Sequence, residues 1–293
     1  MNRKTSFCLA ALILTALAIT AAGGAKGPWV DKFIQVGDIK MHYLEAGGGD
    51  RVLVFIPGWI VPADVWREQI PYFAARGFRV IALDPRSQGQ TSKTESGNTY
   101  HQHAADLNAF LQNLNIEHSY LVGWSSGVLT LLEYLSSPET LKPEKVVFLE
   151  GSPYFFKEDD YPGSTTPQQA RALMLSFQDD RAKATDKYIR SLLKTPHGEI
   201  VYKELLDGSM KSPLSAAFSL YFDQFTGDRR PALRHVDVPT LIVTTAENRA
   251  IGEYMKSKIQ RSSLEVIDGV GSALFLDKPQ AFNQLLETFL GEH

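Results

Sequence analysis

Gly123-Trp124-Ser125-Ser126-Gly127 follows the apolar run Ser119 to Val122 and precedes the helix-like Val128 to Leu135. A serine between glycines at this spacing, entered from a strand and left through a helix, is the pattern that presents a hydroxyl on a tight, strained turn. Gly123 and Gly127 have no Cβ, so strand and helix can approach closely while Ser125 takes an unfavourable backbone conformation. A helix starting at Ser125 would aim free amide donors and its positive end at the same point, stabilising an anion that forms there. Ser125 is the candidate nucleophile.

Outward from this turn, largely apolar runs are expected as strands at Val52 to Ile56, Phe78 to Leu83, Lys145 to Leu149, Thr240 to Thr244 and Ser263 to Ile267, besides Ser119 to Val122. Continuous rather than alternating runs imply burial on both faces. Helical spacing lies between them at Trp66 to Arg76, Tyr100 to Leu114, Val128 to Ser136, Gly252 to Ile259 and Gln280 to Phe289. Two short segments, Phe33 to Val36 and Ile39 to Leu44, flank Gly37-Asp38 as a leading hairpin. Strand then helix, repeated, predicts the α/β class: a mostly parallel sheet with helices on both faces. Between Ser152 and Val238 no good strand is visible and aromatic residues recur, which predicts an inserted helical cap. The expected divisions are 1–25 as signal peptide, 29–151 and 236–293 as core, and 152–235 as cap.

The chain of 293 residues, 44 % hydrophobic and 22 % charged, can bury a large core. A net charge of -3 carries no polyanion-binding signal, so no nucleic-acid partner is expected. Basic Asn2-Arg3-Lys4, the uncharged run Phe7 to Ala22 and small residues through Ala25 form the pattern of a secretory signal, predicting a secreted or periplasmic protein. A membrane enters only if that segment stays uncleaved as an anchor. The single cysteine, Cys8, lies inside it, so the mature chain has no disulfide and no thiolate chemistry. No metal cluster or dinucleotide fingerprint is present, and no lysine follows the glycines as a phosphate loop requires. Cofactor-independent chemistry on a small molecule is expected.

From Phe33 onward this order of elements resembles the α/β-hydrolase fold superfamily. Phe55-Ile56-Pro57-Gly58-Trp59 sits where the family has a His-Gly turn, and Asp84 to Ser92 looks like its loop after the fourth strand. Pro239 to Val243 looks like the strand before the catalytic acid, and Gly271 to Pro279 like the segment that brings the catalytic histidine. The resemblance implies an oxyanion hole from the backbone N–H groups of Trp59 and Ser126. Pro57 in place of the histidine leaves both donors possible.

Two positions depart from the family pattern. Ser272 stands where the histidine is expected, and a serine cannot take a proton from Ser125 at neutral pH. Asn248, preceded by Glu247, stands where the aspartate is expected. Glu150, after the sixth strand, is the better candidate acid; in placement it resembles the haloalkane-dehalogenase branch, and capping of the next turn is its plain structural role. His118, His235, His42 and His293 fall away from the strands' C-terminal ends. His101, His103 and His197 are nearer, and solvated or capping roles are expected for them. Asp84, Arg86, Ser87 and Ser92 are expected as loop structure.

These readings predict an exported serine hydrolase of a small ester with an apolar part, crippled by the missing base. The alternative is a non-catalytic relative that binds a small apolar ligand. Chemistry needing a carboxylate nucleophile at the elbow is disfavoured, because the residue there is a hydroxyl.

Overall fold

The computed structural model describes residues 27–291; the expected signal segment lies outside them. Eight strands form one sheet: β1 Val30–Val36, β2 Ile39–Ala46, β3 Arg51–Ile56, β4 Phe78–Asp84, β5 Ser119–Trp124, β6 Lys145–Leu149, β9 Thr240–Thr245 and β10 Ser262–Ile267, in the order β1-β2-β4-β3-β5-β6-β9-β10. β1 and β2 pair antiparallel, as do β2 and β4, and the rest of the sheet is parallel. The hairpin forms where Gly37 adopts φ +53 between two runs that carry apolar residues.

The central strands bury both faces because their apolar residues supply both. Leu53 and Phe55 point into a layer closed by Ile70, Phe73, Phe282 and Leu286 from α1 (Gln69–Ala74) and α10 (Pro279–Gly291). Val54 and Ile56 point the other way, onto Leu107, Phe110 and Leu131 from α2 (Tyr100–Asn113) and α3 (Gly127–Ser136), with Met255 of α8 (Arg249–Lys258). Each large side chain fully withdrawn from water contributes about 1.5–3 kcal/mol. β10 differs from the expected doubly buried strand. At the sheet edge it alternates between partly buried and exposed residues, as one covered face requires.

Between β6 and β9 lie four helices, α4 Pro167–Asp179, α5 Arg181–Ser191, α6 Glu199–Met210 and α7 Leu214–Thr226. The segment also holds a small hairpin, β7 Lys157–Glu158 and β8 Tyr161–Pro162, which the sequence reading missed. Asp223 of α7 ties this insertion to the core: its carboxylate accepts from the Tyr100 N–H at the start of α2, 2.8 Å away, and pairs with Arg229, which also meets Glu133 of α3. A short helix, α9 Leu274–Asp277, precedes α10.

Register aligns the working edge. Ile56 pairs with Gly123, Gly123 with Phe148 and Phe148 with Ile242, so the loops leaving β3, β5, β6 and β9 rise side by side from the strands' C-terminal ends. In open parallel sheets that edge is where ligands bind.

Backbones also meet closely at the elbow. A Cβ on Gly127 would lie 2.6 Å from the Ile56 carbonyl oxygen and 2.9 Å from that of Pro57; one on Gly123 would lie 2.7 Å from the Gly127 oxygen. These are backbone atoms and cannot swing aside. Gly127→Ala should therefore lower the unfolding free energy by about 1–3 kcal/mol in a urea titration. Gly198→Ala, where a Cβ meets nothing within 4 Å, should stay within about 0.5 kcal/mol.

Candidate active site

Ser125 sits at φ +52 on the turn between β5 and α3. Such a conformation costs a non-glycine residue on the order of 1–3 kcal/mol and persists only where the surroundings impose it. Here the Ser125 N–H donates to Leu149 O at 2.9 Å, and the Val128 N–H returns to Ser125 O at 3.1 Å. α3 begins at Gly127 with Ser126 at its N-cap, two residues later than the expected start at Ser125. The Ser125 hydroxyl thus stands just ahead of the helix's free amides.

Positive φ recurs on this edge. Ile60 has φ +55 after β3 and Glu150 has φ +47 after β6. A β-branched residue in this region is an outlier, and Ile60 is fully buried beside Trp59. Three residues with left-handed backbone thus stand in the loops that leave β3, β5 and β6. Among the described residues neither the Trp59 nor the Ser126 backbone N–H has a protein acceptor, so both donors expected for an oxyanion are unspent.

The side chain of Trp59 faces the insertion. Its indole Nε1 donates to Ala217 O at 2.8 Å, and its ring lies about 5 Å from those of Phe177, Tyr188 and Tyr221. One residue thus joins a packed side-chain anchor to a backbone N–H for which no protein acceptor is found among the described residues.

Glu150 is held rigidly. One carboxylate oxygen accepts from Thr244 Oγ1 at 2.7 Å and from the Thr245 N–H, and the other accepts from Asn248 Nδ2 at 2.9 Å. Asn248 is thus a donor to the carboxylate at position 150, a role the sequence reading did not foresee. Glu247 is exposed, 3.6 Å from Lys194, and its carboxyl is held below the usual range by a hydrogen bond to its own backbone and by Lys194.

Ser272 lies on a braced loop. The Trp124 indole donates to Ser272 O at 2.9 Å, and the next residue's N–H, that of Ala273, donates to Leu192 O at 2.8 Å. Trp124 itself packs against Trp66 and Phe275. Asp277, its side chain fully buried, gathers the Gly271 N–H at 2.7 Å, the Lys194 and Thr195 N–H groups at 2.9 and 3.0 Å, the Thr195 hydroxyl at 2.5 Å and His197 Nε2 at 3.2 Å. Burial pushes its pKa up, but these donors prevail and hold it below the ordinary 3.8.

Ser125 and Ser272 line the same cavity, about 380 Å³, under the insertion. Its walls are the aromatic rings of Trp59, Phe155, Tyr188, Tyr221 and Phe225, with Leu173 and Leu192; Ser164, Thr165, Gln169 and Gln224 supply the polar contacts. No charged side chain and no imidazole lines it. Burial raises the phenol pKa of Tyr188 and of Tyr221 far above neutrality.

Among the described residues the histidines lie elsewhere. His101 and His118 are exposed beside Glu133 and Glu144. His42 and His103 are buried, which for His103 corrects the expectation of a solvated or capping role. His42 bridges Asp84 at 2.7 Å and Asp31 at 3.1 Å; burial opposes its charge, but the two carboxylates raise its pKa. His103 is pushed down to about 4 by burial, so it is neutral at pH 7. It lines a separate small void with Arg86, Asp106 and Thr130. Asp84 ends β4 rather than lying in the loop and accepts from the Ala63 and Gln90 N–H groups, and Arg86 in the loop after it bridges Asp38 and Asp106.

Among the described residues no group of His, Cys, Asp and Glu side chains could hold a metal ion. The sequence profile of the alpha/beta hydrolase fold matches residues 51–279. The chain belongs to the α/β-hydrolase family. A Synechocystis sp. protein assigned provisionally as a non-heme chloroperoxidase is 27 % identical, covering 86 % of this chain and 95 % of its own. The 3-oxoadipate enol-lactonase 2 of Acinetobacter baylyi is 26 % identical over 86 % of this chain and 94 % of its own. An esterase from Exiguobacterium antarcticum superposes with a TM-score of 0.83 at 24 % identity, covering 90 % of this chain and 100 % of that one, which shows the shared fold.

Asp277 makes the Ser272 loop sensitive to acid. A carboxyl whose pKa falls on folding stabilises the folded state fully above its unfolded value and loses that contribution as pH drops through the folded one. Asp277→Asn should lower stability at pH 7 by about 1–3 kcal/mol, because an amide nitrogen cannot accept from these backbone donors. In urea titrations from pH 7 to pH 2, the variant should also show a flatter acid limb than the parent.

Proposed function

We propose that this chain is an exported serine-hydrolase-type protein whose Ser125 cavity takes a small ester with an apolar part. As the sequence stands, it turns that ester over slowly for want of a proton acceptor. The observation that carries the reading is the strained Ser125 beside two unspent backbone donors, opening with Ser272 into one uncharged cavity.

Ser125 Oγ would attack the ester carbonyl, forming a C–O bond while the carbonyl oxygen becomes an anion between the Trp59 and Ser126 N–H groups. Collapse of that adduct expels the alcohol, and water then attacks the acyl-serine. Removing one such donor in comparable sites costs about 2.7–4 kcal/mol of transition-state stabilisation. The Oγ proton has only solvent or the departing alkoxide to go to, because no wall residue accepts it at neutral pH. Oxyanion stabilisation and positioning alone still leave about 10³–10⁴-fold over water when a triad member is missing. Glu150, fixed by Thr244, Thr245 and Asn248, is the acid that would orient an imidazole at position 272.

The uncharged cavity also favours a second reading, a binding protein for a small apolar ligand with no turnover. Export rests on the pattern of Asn2 to Ala25. Among the described residues no helix is long and apolar enough to cross a membrane.

Ser272→His should raise turnover of short-chain aryl esters by about 10³-fold or more, and Ser125→Ala in that background should abolish the gain. Added imidazole should accelerate the parent measurably and leave Ser125→Ala unchanged. A folded Ser272→His variant with unaltered background hydrolysis would sink the hydrolase reading in favour of the binding protein.

A further inference from the structure

A second concavity, about 590 Å³, runs between α4 and α5 on the outer side of the insertion. Leu173 and Tyr188 line both it and the Ser125 cavity, so two half-buried side chains form the wall between the two spaces. Tyr188 stands with its ring edge-on to Trp59, 5.3 Å away, which places this wall against the residue that offers the oxyanion donor.

The outer space is a trough by construction. Ala172, Leu173 and Ser176 recur at helical spacing along one face of α4, and Ala184, Tyr188 and Ser191 do so along the facing side of α5. Small side chains on both helices leave a channel between them, and Leu173 and Tyr188 lead it inward. Asp179, Asp180, Lys183 and Lys187 border it and are exposed, so two carboxylates and two ammonium groups lie at the water side of a floor that Ala172, Leu173, Ala184 and Tyr188 supply.

We propose that this trough is the outer half of the ligand site and holds the far end of a straight alkyl or acyl chain whose polar head lies at Ser125. The inference rests on the Ser125 reading and names its substrate class: esters of linear chains too long for the inner cavity. Leu173 and Tyr188 act as the gate the chain passes. A compact ester would leave the trough to water, whereas a chain that threads the gate buries its methylenes against both helices.

The test is calorimetric binding of straight-chain methyl ketones, from hexanone to tetradecanone, to the full-length protein. These compounds are uncharged and not hydrolysed, so the missing base does not enter. Affinity should climb about fourfold per methylene and continue to climb at lengths beyond the inner cavity. Ser176→Trp and Ser191→Trp, at exposed positions where an added indole fills the trough, should lower the ratio of tetradecanone to hexanone affinity at least about tenfold. Thermal melts would establish that both variants are folded. If both keep the parent ratio, or if the parent's affinity levels off at short chains, the trough is no part of the site. If hexanone also fails to bind, the Ser125 cavity reading falls and the inference falls with it.

Discussion

The site depends on a contact that a methyl group would destroy. α3 crosses the end of β3 so closely that Gly127 rests on the Ile56 and Pro57 carbonyls, and Gly123 rests on Gly127. That crossing forces the intervening Ser125 to φ +52 and sets its hydroxyl ahead of the helix amides. The same sheet edge holds Ile60 and Glu150 in left-handed backbone. Strain of this kind is affordable because the core beneath is rigid: β3, β5 and β6 are in register and covered on both faces.

The insertion and the core meet through an apolar seam, where Trp59, Ile60, Tyr100 and Leu129 pack on Phe155, Phe177, Leu220, Tyr221 and Phe225, and a few directional bonds pin it. Asp223 caps α2, the Trp59 indole binds the Ala217 carbonyl, and Asp277 collects the chain at Lys194 and Thr195 together with Gly271. The last of these fixes the loop on which Ser272 stands. A loop so carefully held around a residue that cannot accept a proton is the central chemical tension of this chain.

The sheet was legible because buried parallel strands write themselves as unbroken apolar runs, and the elbow because glycine is required where two backbones touch. Other features depend on partners distant in sequence. The helix expected from Trp66 begins only at Gln69, because Pro71 can sit in the first turn of a helix but not in its interior. Glu150 could be picked out by position, but the donors that orient it come from Thr244, Thr245 and Asn248. Asn248 looked like a lost aspartate. Beside a carboxylate already present at 150, a second would repel it, and an amide instead donates to it. His103 looked solvated or capping in one dimension, and only packing shows it buried and kept neutral; His42, read merely as part of the leading hairpin, is buried between two carboxylates.

Trp59 couples two motions that are separate in a simpler architecture. Its indole is anchored to α7 through Ala217 and is packed among Phe177, Tyr188 and Tyr221, while its amide belongs to the turn facing Ser125. Lifting the insertion as a rigid lid would pull on that turn through the Trp59 side chain. The shape of the cavity under the insertion is thereby tied to the backbone turn beside Ser125.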